Sequence, residues 1–195
     1  MNKKNVSIFA CLALVFSILI TDRTQGRAQK RKFRHDSKIE TIYQPTEDRT
    51  VVKTRFKIQP EKAEDFRTAL LMAGFYFAGK TLTGPPQEVE IYLFSSSKRG
   101  ELFAKDRSVT MILDQRPLMI GEGELLKGAF SSFSTEPVEM FEEIRDEALF
   151  IRMPYAKFLD VVAARKVALL AASNKFKFSE DNLETLRDLA SRMAP

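Results

Sequence analysis

The chain has one histidine, His35, and one cysteine, Cys11, and those two positions bound most of the chemistry it can attempt. A Ser-His-Asp or Cys-His arrangement needs an imidazole held rigidly beside the nucleophile. His35 instead sits in a polar, charged stretch, residues 29–50, which reads as a tether or an edge segment, and Cys11 lies inside an apolar run. Zinc needs three or four His, Cys or carboxylate ligands, so it fails on the same count. Gly121 and Gly123 flank a glutamate, but without a third glycine or a strand-to-helix context they make no dinucleotide cradle, and no phosphate-binding G-x-x-x-x-G-K-[ST] loop occurs.

Carboxylates and hydroxyls remain. Glu136, Glu139, Glu142, Glu143, Asp146 and Glu147 stand against the single Arg145. Calcium would want those oxygens in a D-x-[DN]-x-[DN]-G loop, which is absent, so a solvated strand face or loop is the expectation. A glycosidase needs only two suitably spaced carboxylates. The abundance of acids leaves such a pair unconstrained, and with no tryptophan in the chain the commonest sugar-stacking platform is missing. Ser95, Ser96 and Ser97 offer hydroxyls, yet a strand running out into a solvated turn has the same composition. No residue is therefore assigned a catalytic, cofactor-binding or metal-binding role, and no cofactor is expected.

The elements around these residues are easier to read. Lys3 and Lys4 precede an uninterrupted apolar run over residues 6–20, followed at once by polar sequence. That is the pattern of a secretory signal peptide, and the run is short of the ~20 residues a permanent span requires. Small residues at Gly26 and Ala28 place cleavage after one of them, giving a signal peptide over 1–28, a polar segment over 29–50 and one globular domain over 51–195. The basic cluster of Arg23, Arg27, Lys30, Arg31, Lys32 and Arg34 opposes translocation, so a retained anchor is the alternative, and the only route to a membrane. Removing residues 1–28 takes away four cationic and one anionic side chain, lowering the net charge from +5 to +2. The basic stripe that nucleic-acid binding requires is then lost. Cys11 leaves as well, so the mature chain is free of disulfides and depends on its core.

Beyond residue 50 the apolar period becomes two. Val52, Thr54, Phe56 and Ile58 alternate with Lys53, Arg55 and Lys57; Val89, Ile91 and Leu93 repeat the pattern, as do Val109, Met111 and Leu113. Further strands are expected around 39–43, over 69–78 after a turn ending at Phe66, and within 125–133 and 147–153, with turns at 83–87, 95–100 and 114–117. After Pro154 the period shifts. Tyr155, Phe158, Leu159 and Val162 predict a helix, residues 166–178 a hairpin turning at Ser173-Asn174, and Ser179 caps a last helix burying Leu183, Leu186, Leu189, Ala190 and Met193. Arg187 is expected on its exposed side. The fold class is α+β: an antiparallel sheet or sandwich with a C-terminal helix, β-hairpin and helix. Sixteen phenylalanines are many for so small a core, and those at 74–77 and 129–133 either fill it or present an apolar surface.

The C-terminal third resembles a group of uncharacterised exported bacterial proteins. Phe158, Lys166-Val167, Phe176-Lys177-Phe178 and the run from Leu183 to Leu189 carry the likeness, which extends to Gly79-Lys80, Pro85-Pro86, Val89 and residues 94–97. Ala168 stands where the group has an acid and Ala171-Ala172 where it has glycine. The resemblance implies export and fold and brings no activity with it. The reading is of a periplasmic or extracellular, non-catalytic module that binds an envelope component or another protein, the alternative being a carboxylate-dependent hydrolase of glycosidase type. Mass spectrometry of the native protein is expected to find an N-terminus at Arg27 or Gln29; intact residues 1–20 in the membrane fraction would show the anchored form instead.

Overall fold

Alternation of buried and exposed side chains along the strands sets the architecture. In the computed structural model, which describes residues 33–97, 102–126 and 146–193, β1 (Ile39–Gln44), β2 (Arg49–Lys57), β4 (Phe66–Ala78), β5 (Glu88–Ser97), β8 (Glu124–Leu126) and β9 (Asp146–Pro154) form a six-stranded sheet in the order β1-β2-β4-β5-β9-β8. A five-stranded sheet, in the order β3-β11-β10-β6-β7, comprises β3 (Gln59–Pro60), β6 (Ser108–Leu113), β7 (Arg116–Glu122), β10 (Val167–Ala171) and β11 (Asn174–Lys177). All pairings are antiparallel. The two sheets and two helices, α1 (Tyr155–Ala163) and α2 (Glu180–Ser191), enclose one principal core, giving an α+β sandwich.

That core takes the odd-numbered face of β5 (Val89, Ile91, Leu93), the matching face of β4 (Leu71, Ala73, Phe75), Leu149, Ile151 and Met153 of β9, and Val109, Met111 and Leu169 of the second sheet. Phe158 of α1 and Leu183, Leu186 and Leu189 of α2 close it. The period places those of β4, β5, β6 and the two helices, because a residue that alternates along a strand or recurs every three or four along a helix must face one way. β1 arises within residues 29–50, so that stretch supplies an edge strand, and pairs with β2 from Ile39↔Thr54 to Gln44↔Arg49.

Four local readings change. Ser95, Ser96 and Ser97 continue β5, and are not in a turn. The hairpin turns on Ala172-Ser173, since Ala171 pairs with Asn174, and Ala172 takes a left-handed φ of 51°. Strand β7 follows the tight Asp114-Gln115 turn, whose residues also have positive φ, 48° and 73°. Its apolar alternation is weak, with Leu118 and Ile120 separated by Met119, which is 65% exposed. The phenylalanines at 130 and 133, and with them most of the strand expected within 125–133, lie outside the described residues, as do Glu136, Glu139, Glu142 and Glu143. No helix among the described residues is long and apolar enough to cross a membrane.

Arg187 is the fourth. Its side chain is 16% exposed; Nε and Nη2 donate to the carbonyls of Val162 (3.0 Å) and Ala164 (2.9 Å), and Nη1 to Glu180 (3.0 Å) and Glu184 (2.8 Å). Those two carbonyls end α1, where the helix leaves oxygens without internal donors and where cations are favoured. One planar fork thus staples the end of α1 to α2. Glu184 and then Glu180 hold the guanidinium more firmly charged, against the cost of burial. Ser179 caps α2 reciprocally with Asn182, at 3.1 Å and 3.0 Å.

Leu186→Ala is expected to cost about 2–5 kcal/mol through the cavity it leaves. Arg187→Ala is expected to cost about 1–3 kcal/mol, because charge-assisted bonds to buried carbonyls are lost together. Thermal melts of both variants check this; an Arg187→Ala melt at the wild-type temperature would place that side chain in solvent.

Candidate functional site

The even-numbered side of β5 faces away from the sandwich core, yet it too is apolar. Tyr92 and Phe94, with Val51 of β2, Met72 of β4 and Ala148 and Phe150 of β9, form a second cluster in which each residue is only 2–8% exposed. Leu70 and Leu126 pack at its margin. Every member belongs to the six-stranded sheet itself. Neither a helix nor a strand of the second sheet contributes among the described residues.

Strand register builds this face. Tyr92 lies opposite Met72 on one side and Phe150 on the other, and Phe94 lies opposite Leu70 and Ala148. The Tyr92 and Phe150 rings stack with centroids 4.8 Å apart, and Tyr92 and Phe94 stack at 6.2 Å. The Tyr92 hydroxyl donates to Glu90 at 3.1 Å, so the ring's one polar atom is satisfied inside an apolar surface. Along the border the same face carries Lys53, Arg55 and Lys57 of β2 and Arg152 of β9, whose guanidinium lies 5.0 Å from the Phe150 ring centroid. The result is an aromatic strip with a largely cationic rim.

The residues that could do chemistry are used differently. His35 is held in place: its ring is 8% exposed, Nε2 lies 3.1 Å from Asp188 Oδ2 on α2, and the Asp36 amide donates to Asp181 at 3.3 Å. Its Nδ1 is buried with no partner among the described residues, and no serine or cysteine nucleophile bonds to it there, so the ring serves as an anchor for the N-terminal segment. Glu147, expected on a solvated face, is buried, and its carboxylate accepts from the backbone amides of Leu102 and Phe103, the latter at 3.3 Å. Ser95, its register partner, and Ser96 are buried with hydroxyls that lack partners among the described residues. The sequence signal for this was only that Ser95 continues the alternation of Val89, Ile91 and Leu93.

Asp114 likewise holds backbone. It accepts from the amides of Arg165 and Lys166, which keep its carboxyl below the usual range. Gly123 sits where a Cβ would come within 2.6 Å of Leu149, so its lack of a side chain permits close packing there. Among the described residues no three His, Cys, Asp or Glu side chains gather as metal ligands.

Asp188 gives a pH dependence of known sign. Burial pushes its carboxyl up, but the bond to Arg192, that ion pair and His35 outweigh it, and the net shift is down from 3.8. A depressed carboxyl stabilises the fold above its unfolded pKa, and that stabilisation is lost as pH falls from about 3.8 through the folded value. Asp188→Asn is expected to lower the melting temperature at pH 7 and to flatten its fall below pH ~4, read in paired thermal melts across pH; an unchanged acid limb would show that Asp188 carries none of it.

No protein-family model, no curated protein and no solved structure matches the chain.

Proposed function

We propose that this is an exported, non-catalytic interaction module, acting in the periplasm or outside the cell, and that the outer face of its six-stranded sheet is the contact surface. The carrying observation is the second apolar cluster of Val51, Met72, Tyr92, Phe94, Ala148 and Phe150, assembled by one sheet on the side turned away from its core. Aromatic residues gathered on a sheet face turned away from the core supply the apolar area against which another segment can pack. Aromatic anchors flanked by arginine are also the composition of energetic centres at protein interfaces. The partner in this reading is a protein or another envelope component with an apolar, acid-flanked segment.

The use of acids supports the same reading over hydrolysis. Asp114 and Glu147 are spent on backbone amides and Asp188 on a histidine and an arginine, so each is committed to holding the fold. The N-terminal apolar run and the likeness to uncharacterised exported proteins support the location.

Envelope extract passed over the mature protein tests the role. Wild type is expected to retain a protein that Arg55→Glu with Arg152→Glu loses, since both side chains are exposed at the rim and their reversal leaves the core intact. Equal retention by both would remove the face from the interaction, and release of sugar from envelope glycans would favour the hydrolase.

A further inference from the structure

Strand β7 is the last of the five-stranded sheet and pairs with β6 on one side alone. A strand so placed turns a row of backbone donors and acceptors outward, where another strand can pair with them. Arg116, Pro117, Met119, Gly121 and Glu122 are exposed. Met119, 65% exposed, stands on the outward face, where the Thr110 hydroxyl donates to its sulfur at 3.4 Å, whereas Leu118 and Ile120 pack against the main core. The Met119 carbonyl accepts from Lys157 Nζ at 2.6 Å in a solvent-exposed bond, so the middle of the strand already takes a donor from outside its ladder. Going beyond the contact face described above, we infer that the free edge of β7 is a site of strand addition. Its occupant is the same edge of a second copy of this chain, related by a two-fold axis through Met119.

The strand's own sequence chooses this occupant. Antiparallel pairing about Met119 sets Arg116 of each copy against Glu122 of the other, Leu118 against Ile120, and Met119 against Met119. Opposite charges directly across a ladder attract and like charges repel. A parallel pairing in register would set arginine on arginine and glutamate on glutamate, and a slip of two residues would break both ion pairs. Neither Arg116 nor Glu122 has an ion-pair partner within the chain among the described residues, so both charges are open to a second copy. They stand about 20 Å apart along the strand, at about 3.3 Å per residue, and so fix the pairing at both its ends. Pro117 offers no amide, and the register shift at Val109 and Thr110 gives β7 an extra residue at Ile120, beside Gly121 with its φ of 130°. Both features keep the added ladder short. The two-fold arrangement also uses up the edge, so it closes at two copies and builds no fibre.

Sedimentation equilibrium over a dilution series, on the protein as its cells process it, tests the assignment. The wild type is expected to pass from monomer to dimer as concentration rises. Arg116→Glu alone and Glu122→Arg alone each set like charges across both ends of the pairing, and each is expected to weaken the dimer about tenfold or more. An equal mixture of these two variants restores opposite charge at both ends. It is expected to form mixed dimers of about wild-type affinity, and the chain carrying both exchanges is expected to dimerise as the wild type does. Both side chains are exposed, so the exchanges leave the core intact, which thermal melts of each variant check. A wild type that stays monomeric at every concentration would overturn the proposal and leave the edge to a strand from another protein. A dimer indifferent to the single exchanges would overturn it as well, as would a mixture that associates no more tightly than either variant alone.

Discussion

The pairing of β4, β5 and β9 is the constraint on which the rest depends. Their registers run from Ala69↔Ser95 to Gly74↔Glu90 and from Glu88↔Pro154 to Ser96↔Asp146, and both faces of the three strands are buried. A slip of one residue would exchange the two faces. It would put Tyr92, Glu90 and Arg152 into the sandwich core and turn Ile91 and Leu93 outward. Two apolar faces of different character therefore specify one register, the inner face aliphatic and close-packed, the outer one aromatic with a cationic rim.

Polar groups then hold the periphery to this centre, mostly by satisfying backbone. Asp114 bridges the β6–β7 turn to the start of β10 through the amides of Arg165 and Lys166. Glu147 ties β9 to the chain at Leu102 and Phe103, Arg187 ties α2 to the end of α1, and His35 with Asp36 ties the N-terminal segment to α2. At Glu147 and Arg187 the charge is spent on backbone amides and carbonyls in part-buried or buried surroundings, which would otherwise be left unpaired. A carboxylate or imidazole engaged in this way is poorly placed for proton transfer, which connects the fold's means of stabilisation to its proposed role.

Because those functions are divided, the two faces answer different demands. The inner core is built from residues distant in sequence. The outer face is aromatic, its one polar ring atom satisfied by Glu90, and long cationic side chains stand along its border.

Much of the architecture was legible in the chain because it follows from local period. The alternations in β2, β5 and β6, the helical stripe of α2 with its Ser179 cap, and the assignment to an α+β sandwich rest on which residues can face the same way. Other features depended on pairing partners. Whether Ser95 and Ser96 were strand or turn was settled by Glu147 and Asp146 lying opposite them, and the hairpin turn shifted to Ala172-Ser173 because Ala171 pairs with Asn174. Arg187 looked exposed from its place on the helix; the end of α1 at Val162 and Ala164 brought two carbonyls to it. The outer apolar face was equally hidden. Val51, Met72, Tyr92 and Phe150 are far apart in the chain and read singly as ordinary strand residues, and only the register of four strands gathers them into one surface.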